Sequence, residues 1–421
     1  MSIHAQLLRI CSFIALCSPA LLSQVEVTVR TEKPDYIVGE PVIVVVGVRN
    51  VGSEPVGYGK GFGIVNLTVQ GVERQARNVG NCFLLVSRWP GGGEAVGSHP
   101  PQMKPGETVS FRYLLKGYPL PGGNYVMRAE GRAGVLWTSY PAAGPNPPPP
   151  KHPPGEPVPG AAIDVEVPLR IRDGSEEELR SRFAPYIEDA ENSDWERRIL
   201  SREAIAEMAP GFLEKMIMEF AGDPNFPHLA VEGLRKSRTP ESRNFLMEMF
   251  DKTVDLRLRA DIVRALAEMA TPDQFEFFAS LLPGRSTKLD DDIRKYAAFG
   301  LGQIGGDRAV NALINTPRSP NPEFNAAIIV ALGNTKSRKA FPALFDLYSD
   351  SATRNDVCGA LASATHLTWC DGSGEVEPAQ SKWRKWWKRN GSTIRLYGPE
   401  ECSESVINSP FYQQYSAPNE P

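Results

Sequence analysis

The chain has 421 residues, 41% hydrophobic and 23% charged, the composition of a globular protein of about two or three domains. Its formal net charge is only -4, but the charge is unevenly spread: residues 24–172 carry 15 Lys/Arg against 12 Asp/Glu, and residues 173–421 carry 30 against 38. An acidic second half excludes general nucleic-acid binding, which needs a basic footprint.

Residues 1–20 read as a secretory signal. Arg9 is a minimal positive region, Ile10 to Leu22 is mostly apolar and too short to span a bilayer, and Ser18-Pro19-Ala20 supplies the small residues of a cleavage site after Ala20. The expected location is therefore secreted or periplasmic, with no transmembrane segment in the mature chain. Cleavage would leave Cys82, Cys358, Cys370 and Cys402. Export permits disulfides, and a Cys370–Cys402 bridge is one pairing open to the C-terminal region. Cys82, remote in sequence, reads as a free core thiol.

Residues 24–172 read as a β-sandwich. Val25 to Arg30 alternates apolar and polar with period two, and Pro41 to Val48 is a longer β-branched run suited to a core strand. Further runs are Ile64–Gln70, Phe83–Ser87, Thr108–Leu115, Gly123–Arg132 and Ala162–Arg172, with turn signals such as Lys104-Pro105-Gly106-Glu107 and Leu120-Pro121-Gly122-Gly123 between them. Many short strands punctuated by Gly and Pro imply an antiparallel sandwich. Residues 141–159, with ten prolines in nineteen positions, favour polyproline II and read as an extended loop before the last strand.

The stretches from Tyr36 to Val56, Met103 to Leu115 and Leu120 to Gly131 resemble bacterial immunoglobulin-like domains, in which a strand follows a Gly-Glu-Pro turn, here Gly39-Glu40-Pro41, and a Pro-Gly turn opens a late strand. This resemblance implies a fold, not an activity.

From Ser175 the texture is helical, and a small residue followed by an aliphatic one recurs: Ala204-Ile205, Gly233-Leu234, Ala265-Leu266, Gly300-Leu301, Ala331-Leu332 and Ala360-Leu361. The period is about thirty residues, enough for two helices and two turns. Ten residues before the small residue there is usually Asp and six before it Arg: Asp194/Arg198, Asp255/Arg259, Asp290/Arg294 and Asp350/Arg354. Asp suits the N-cap of the second helix of each repeat, and Arg four residues on lies within reach of it. These eight residues are expected to form a structural Asp/Arg ladder.

The clearest copy runs from Asp290-Asp291-Asp292-Ile293-Arg294 through Ala297-Ala298-Phe299-Gly300-Leu301-Gly302 to Gly305-Gly306-Asp307-Arg308-Ala309-Val310. It resembles the short HEAT repeats first noted in phycobilisome lyases. The resemblance covers about residues 176–367 and implies an α-solenoid of about six repeats, in most known cases a partner-binding scaffold. The expected organisation is a multidomain all-β plus all-α chain: sandwich 24–172, solenoid 175–367, capping region 368–397 and tail 398–421.

Lys382-Trp383-Arg384-Lys385-Trp386-Trp387-Lys388-Arg389 has two readings. A basic aromatic helix suits a membrane or nucleic acid. But Trp383, Trp386 and Trp387 share one helical face, and an end repeat must be covered, so a capping helix is expected.

Motif chemistry is sparse. The chain holds five histidines and has no H-E-x-x-H, G-x-S-x-G or P-loop. Cys358 and His366, eight residues apart on one expected helix, read as packing residues. The Asp290–Asp292 run reads as a charged first turn rather than a metal site, and Asp371 to Glu377 as a turn rather than a calcium loop. The sequence thus leads to the expectation of a non-enzymatic, secreted scaffold with no cofactor, no metal and a protein partner. Arg202, Arg235, Arg264 and Glu268 are candidates for the partner-binding surface, and which of them faces out stays open. The rival is an envelope enzyme or enzyme regulator acting on a cell-wall polymer.

Overall fold

The computed structural model describes residues 25–53, 55–58, 66–70, 102–115, 122–132, 136–138, 157–158, 162–283, 288–365, 367 and 376–397. The expected signal sequence, the strand at Phe83–Ser87, Cys82, Cys370, Cys402, His366 and the tail from residue 398 lie outside them. The chain divides into two compact units, one ending at Phe183 and one running from Ala184.

In the first unit, β1 (Val25–Thr31), β3 (Ile43–Asn50) and β7 (Thr108–Leu114) form one antiparallel sheet in the order β1-β3-β7. A second carries β2 (Tyr36–Ile37), β11 (Ala162–Arg172), β8 (Gly123–Arg132) and β5 (Asn66–Gln70) in the order β2-β11-β8-β5. Here β2 pairs in parallel and the others antiparallel. Val44 of β3 packs with Met127 of β8 and Val167 of β11, so these two sheets share a core. The β-branched run of β3 suits that place, because its residues Ile43 to Val46 are all buried. A third sheet has the order β10-β9-β4-β6, from β10 (Pro157–Val158), β9 (Leu136–Thr138), β4 (Val56–Tyr58) and β6 (Gln102–Met103).

One difference concerns the Pro-rich stretch. Its end, Pro157-Val158, is not loop but pairs with Trp137 and Leu136. The pairing is tolerated because β10 is the edge of its sheet, where a proline lacking its N–H costs no ladder bond. Also within this unit, Glu40 is buried, accepts from the Ile37 N–H at 3.1 Å and pairs with Lys33 at 2.5 Å and Arg182 at 3.8 Å.

The helices run as α1 (Glu176–Asp189), α2 (Trp195–Met208), a 3-10 turn leading into α3 (Glu214–Glu219), α4 (Pro227–Ser237), α5 (Pro240–Lys252), α6 (Leu256–Glu268), α7 (Phe275–Leu281), α8 (Lys288–Ile304), α9 (Gly306–Ile314), α10 (Pro322–Asn334), α11 (Ala340–Leu347), α12 (Arg354–Thr365) and α13 (Val376–Asn390). The even-numbered helices α2 to α12 form one layer, each packed on the next, which is the stacking of an α-solenoid. The recurring small-aliphatic pairs all fall in this layer and are all buried. Their smallness sets the helix spacing. A Cβ on Gly300 would come within 2.7 Å of the Phe278 ring, and one on Gly333 within 2.9 Å of Ala360 Cβ.

Helix starts follow the caps. Asp255 accepts from the Arg257 and Leu258 N–H groups, Asn321 from Glu323, and Asp194 from Arg197 at 3.1 Å. Two expected caps are corrected. Asp290 lies inside α8, which begins at Lys288. Asp350 lies four residues before α12, where it closes a turn on the Ala352 N–H and pairs with Arg318 at 3.6 Å.

Helix α13 packs on α11. Trp383 is fully buried, and Trp387 stacks on Phe341 of α11 with ring centroids 3.8 Å apart. Among the described residues no helix is long and apolar enough to cross a membrane.

Candidate functional site

The expected ladder of i,i+4 Asp/Arg ion pairs is corrected as well. No ion pair joins Asp255 to Arg259 among the described residues. Arg259 instead lies over the Phe250 ring at 4.1 Å, with its Nε buried and lacking a hydrogen-bond partner. Arg294 pairs with Asp291 at 2.9 Å rather than serving Asp290, donates to Leu282 O and Pro317 O, and stacks on Phe324 at 3.9 Å. Arg198 lies 5.5 Å from the Trp195 ring, and Arg354 keeps a buried Nε. The reason is reach and burial: an Asp carboxylate bonded to the first-turn N–H groups is held away from a guanidinium that the packed layer draws toward aromatic rings.

Of the four candidates, Arg202 is buried. It is 6% exposed, lies 5.1 Å from the Phe220 ring and 4.8 Å from Phe226, and bonds Ala190 O, Asp223 and Glu191. Its Nε bonds a carbonyl twelve residues earlier, as that of Arg294 does. A guanidinium so fully satisfied belongs to the framework of the repeat.

Arg235, Arg264 and Glu268 are brought together. They lie on α4 and α6 with side chains 20%, 16% and 19% exposed. Arg235 bonds Glu232 one turn back and Glu268 on the neighbouring helix, each at 2.5 Å. Lys236 reaches the other way, to Glu207 of α2 at 2.7 Å. Arg264 lies 3.7 Å from Asp261. The strip thus spans α2, α4 and α6. It arises because residues three or four apart on a helix share a face and successive second helices stack side by side. Sequence reasoning missed Glu207, Glu232, Lys236 and Asp261; their spacing on the same helical faces is the signal that could have found them.

The electrostatics of the strip are mixed. Burial pushes the Glu232 carboxyl up, but Arg235, Lys236 and Arg264 outweigh it and hold it below the usual range. Burial pulls the Arg235 guanidinium down, and its two glutamates more than reverse that. Asp261 is different: burial holds its carboxyl above the usual range despite Arg264, Arg257 and His228. The arrangement is a half-buried band of both signs, with one carboxylate incompletely compensated, and it suits recognition of a complementary charged surface.

Elsewhere, Cys358 is disulfide-bonded rather than a packing thiol, and Tyr348 Oη lies 3.5 Å from its sulfur. In the Asp290–Asp292 run, Asp291 and Asp292 are taken up by Arg294, Ser319 and Lys295. Among the described residues no group of His, Cys, Asp and Glu is placed to hold a metal ion.

Residues 278–362 match the family described as HEAT repeats. This part of the chain carries them. No curated protein matches it. Two solved structures share helical likeness. Human deoxyhypusine hydroxylase in complex with glycerol is 15% identical, covering 49% of this chain and 85% of its own, with a TM-score of 0.22. Escherichia coli YibA is 15% identical, covering 52% of this chain and 98% of its own, with a TM-score of 0.27. The expectation of a non-enzymatic protein is withdrawn, because HEAT repeats do not by themselves exclude catalysis. What they support is a surface for protein interaction.

Proposed function

We propose that this chain is an extracytoplasmic scaffold that holds a protein partner against its second-helix layer. The observation that carries the reading is the half-buried charged strip of Glu232, Arg235, Asp261, Arg264 and Glu268 on α4 and α6. Charges of both signs fix register and partner choice more than they add raw affinity. Export is supported by the N-terminal leader-like sequence and by the disulfide-bonded Cys358, since such bonds persist in oxidising compartments. The β-rich unit is read as an immunoglobulin-like domain, supported by its turn-and-strand pattern and by two sheets sharing the core around Val44, Met127 and Val167.

The test is capture from an envelope extract by the whole chain and by an Asp261→Asn/Arg264→Gln variant, with thermal melts of both. The wild type should retain a specific protein that the variant loses while melting no lower than wild type. Equal retention by the two would remove the strip as the binding site.

A further inference from the structure

The outer face of the capping helix has a charge pattern that the scaffold reading does not use. At about 100° per residue, Trp386, Trp383 and Trp387 of α13 occupy one side, and Arg384, Lys388, Lys385 and Arg389 the other. The aromatic side is consumed by the cap: Trp383 is fully buried and Trp387 is stacked on Phe341. The basic side faces solvent. Lys382, Arg384, Lys385, Lys388 and Arg389 are all exposed. Arg384 is paired with Asp346 at 2.6 Å, whereas Lys385, Lys388 and Arg389 form no ion pair among the described residues. Residues 382–389 include no acidic side chain. Arg395 adds an exposed cation just beyond the helix.

Part of this pattern is structural, because Lys388 and Arg389 in the last turn complement the helix dipole. That does not account for Lys382 and Lys385 in the middle of the helix. The setting gives the patch its meaning. Residues 173–421 carry 30 Lys/Arg against 38 Asp/Glu, so a concentrated cationic face stands on an acidic body. An anionic surface would repel most of the helical unit and attract this helix, which orients that unit.

We propose that the basic face of α13 docks on an anionic phospholipid surface. A helix face about 10 Å long that presents cations along a ridge can meet a flat array of phosphates with all of them at once. None of the large apolar side chains exposed in the described residues lies on α13, so the contact is peripheral and electrostatic, with no insertion. The same absence of exposed stacking rings disfavours single-stranded nucleic acid, which needs aromatic platforms. The docking residues are distinct from those of the partner strip on α4 and α6.

The experiment is flotation of the full chain with vesicles of phosphatidylcholine alone and of phosphatidylcholine containing phosphatidylglycerol. Wild type should float with the anionic vesicles only and be released as salt rises from about 0.1 to about 0.5 M. Each cation near such a surface is worth roughly fivefold in partitioning. The Lys385→Gln/Lys388→Gln/Arg389→Gln variant should therefore bind roughly 100-fold more weakly. Removing three exposed cations elsewhere (Arg170→Gln/Lys215→Gln/Lys252→Gln) should leave binding unchanged. Three results would overturn the proposal. These are no flotation of wild type at low salt, an equal loss in both variants, and retention on a soluble polyanion such as heparin without vesicle binding. Circular dichroism melts of both variants separate a lost site from a lost fold.

Discussion

Arg259 and Arg294 occupy the same place in their repeats, six residues before the small residue, yet each is satisfied differently. Arg294 is bound by a carboxylate and two carbonyls, while Arg259 relies on the Phe250 ring. A desolvated cation over an aromatic ring is worth about 1 to 2 kcal/mol. Arg259→Ala should therefore lower the melting temperature while leaving partner capture intact; identical melting of the two proteins would remove the packing role. Asp356 of α12 supplies a second test at this scale. Burial alone holds its carboxyl above the usual range. A carboxyl raised in the folded state takes up its proton more readily there, so stability falls as pH rises from the ordinary aspartate range through the folded value. Asp356→Asn removes the buried charge and should melt above wild type at pH 7, by about 0.5 kcal/mol. The gain should close as the pH falls toward about 4, and a gain that persisted unchanged there would contradict this cause.

Helices in the second layer approach closely because side chains at the contacts are small. The Phe278 ring of α7 lies against Gly300 and is fully buried. Gly300→Ala should cost about 2 kcal/mol through overpacking, whereas Gly222→Ala, with no atom within 4 Å of the added Cβ, should be close to neutral. Paired urea melts decide the matter, and equal midpoints for the two variants would show that the layer can relax. The elements themselves were largely legible. Gly123–Arg132 and Ala162–Arg172 are strands over the expected residues, and the small-aliphatic pairs lie buried in the second helices. Asp290 shows where legibility ended. As a cap residue by type it belongs at a helix start, but α8 extends past it to Lys288, because Asp suits the first turn of a helix as well as its N-cap.

For the whole molecule, the disulfide at Cys358 links folding to the redox state of the compartment. If the bond contributes the usual 2 to 4 kcal/mol, about that much stability disappears on reduction. A calorimetric scan with and without reductant should show the helical unit melting lower when reduced. An unchanged transition would mean that the bond does not constrain the fold and would weaken the case for export. The acidic helical unit and its basic α13 together predict how that unit meets charged surfaces.

The sequence alone determined the periodic part of this protein. Repeat spacing, small-residue positions, the aromatic capping face and most strands follow from local rules of period and turn chemistry, which act over a few residues. Only the tertiary structure decided which charges meet. Whether Arg202 faces out was open in the sequence; Phe220, Phe226 and Asp223 close around it. Arg235 and Glu268, 33 positions apart, became one pair because stacked helices bring successive repeats side by side. Spacing along a helix sets the face a side chain occupies; what lies opposite that face is fixed by packing between elements distant in the chain.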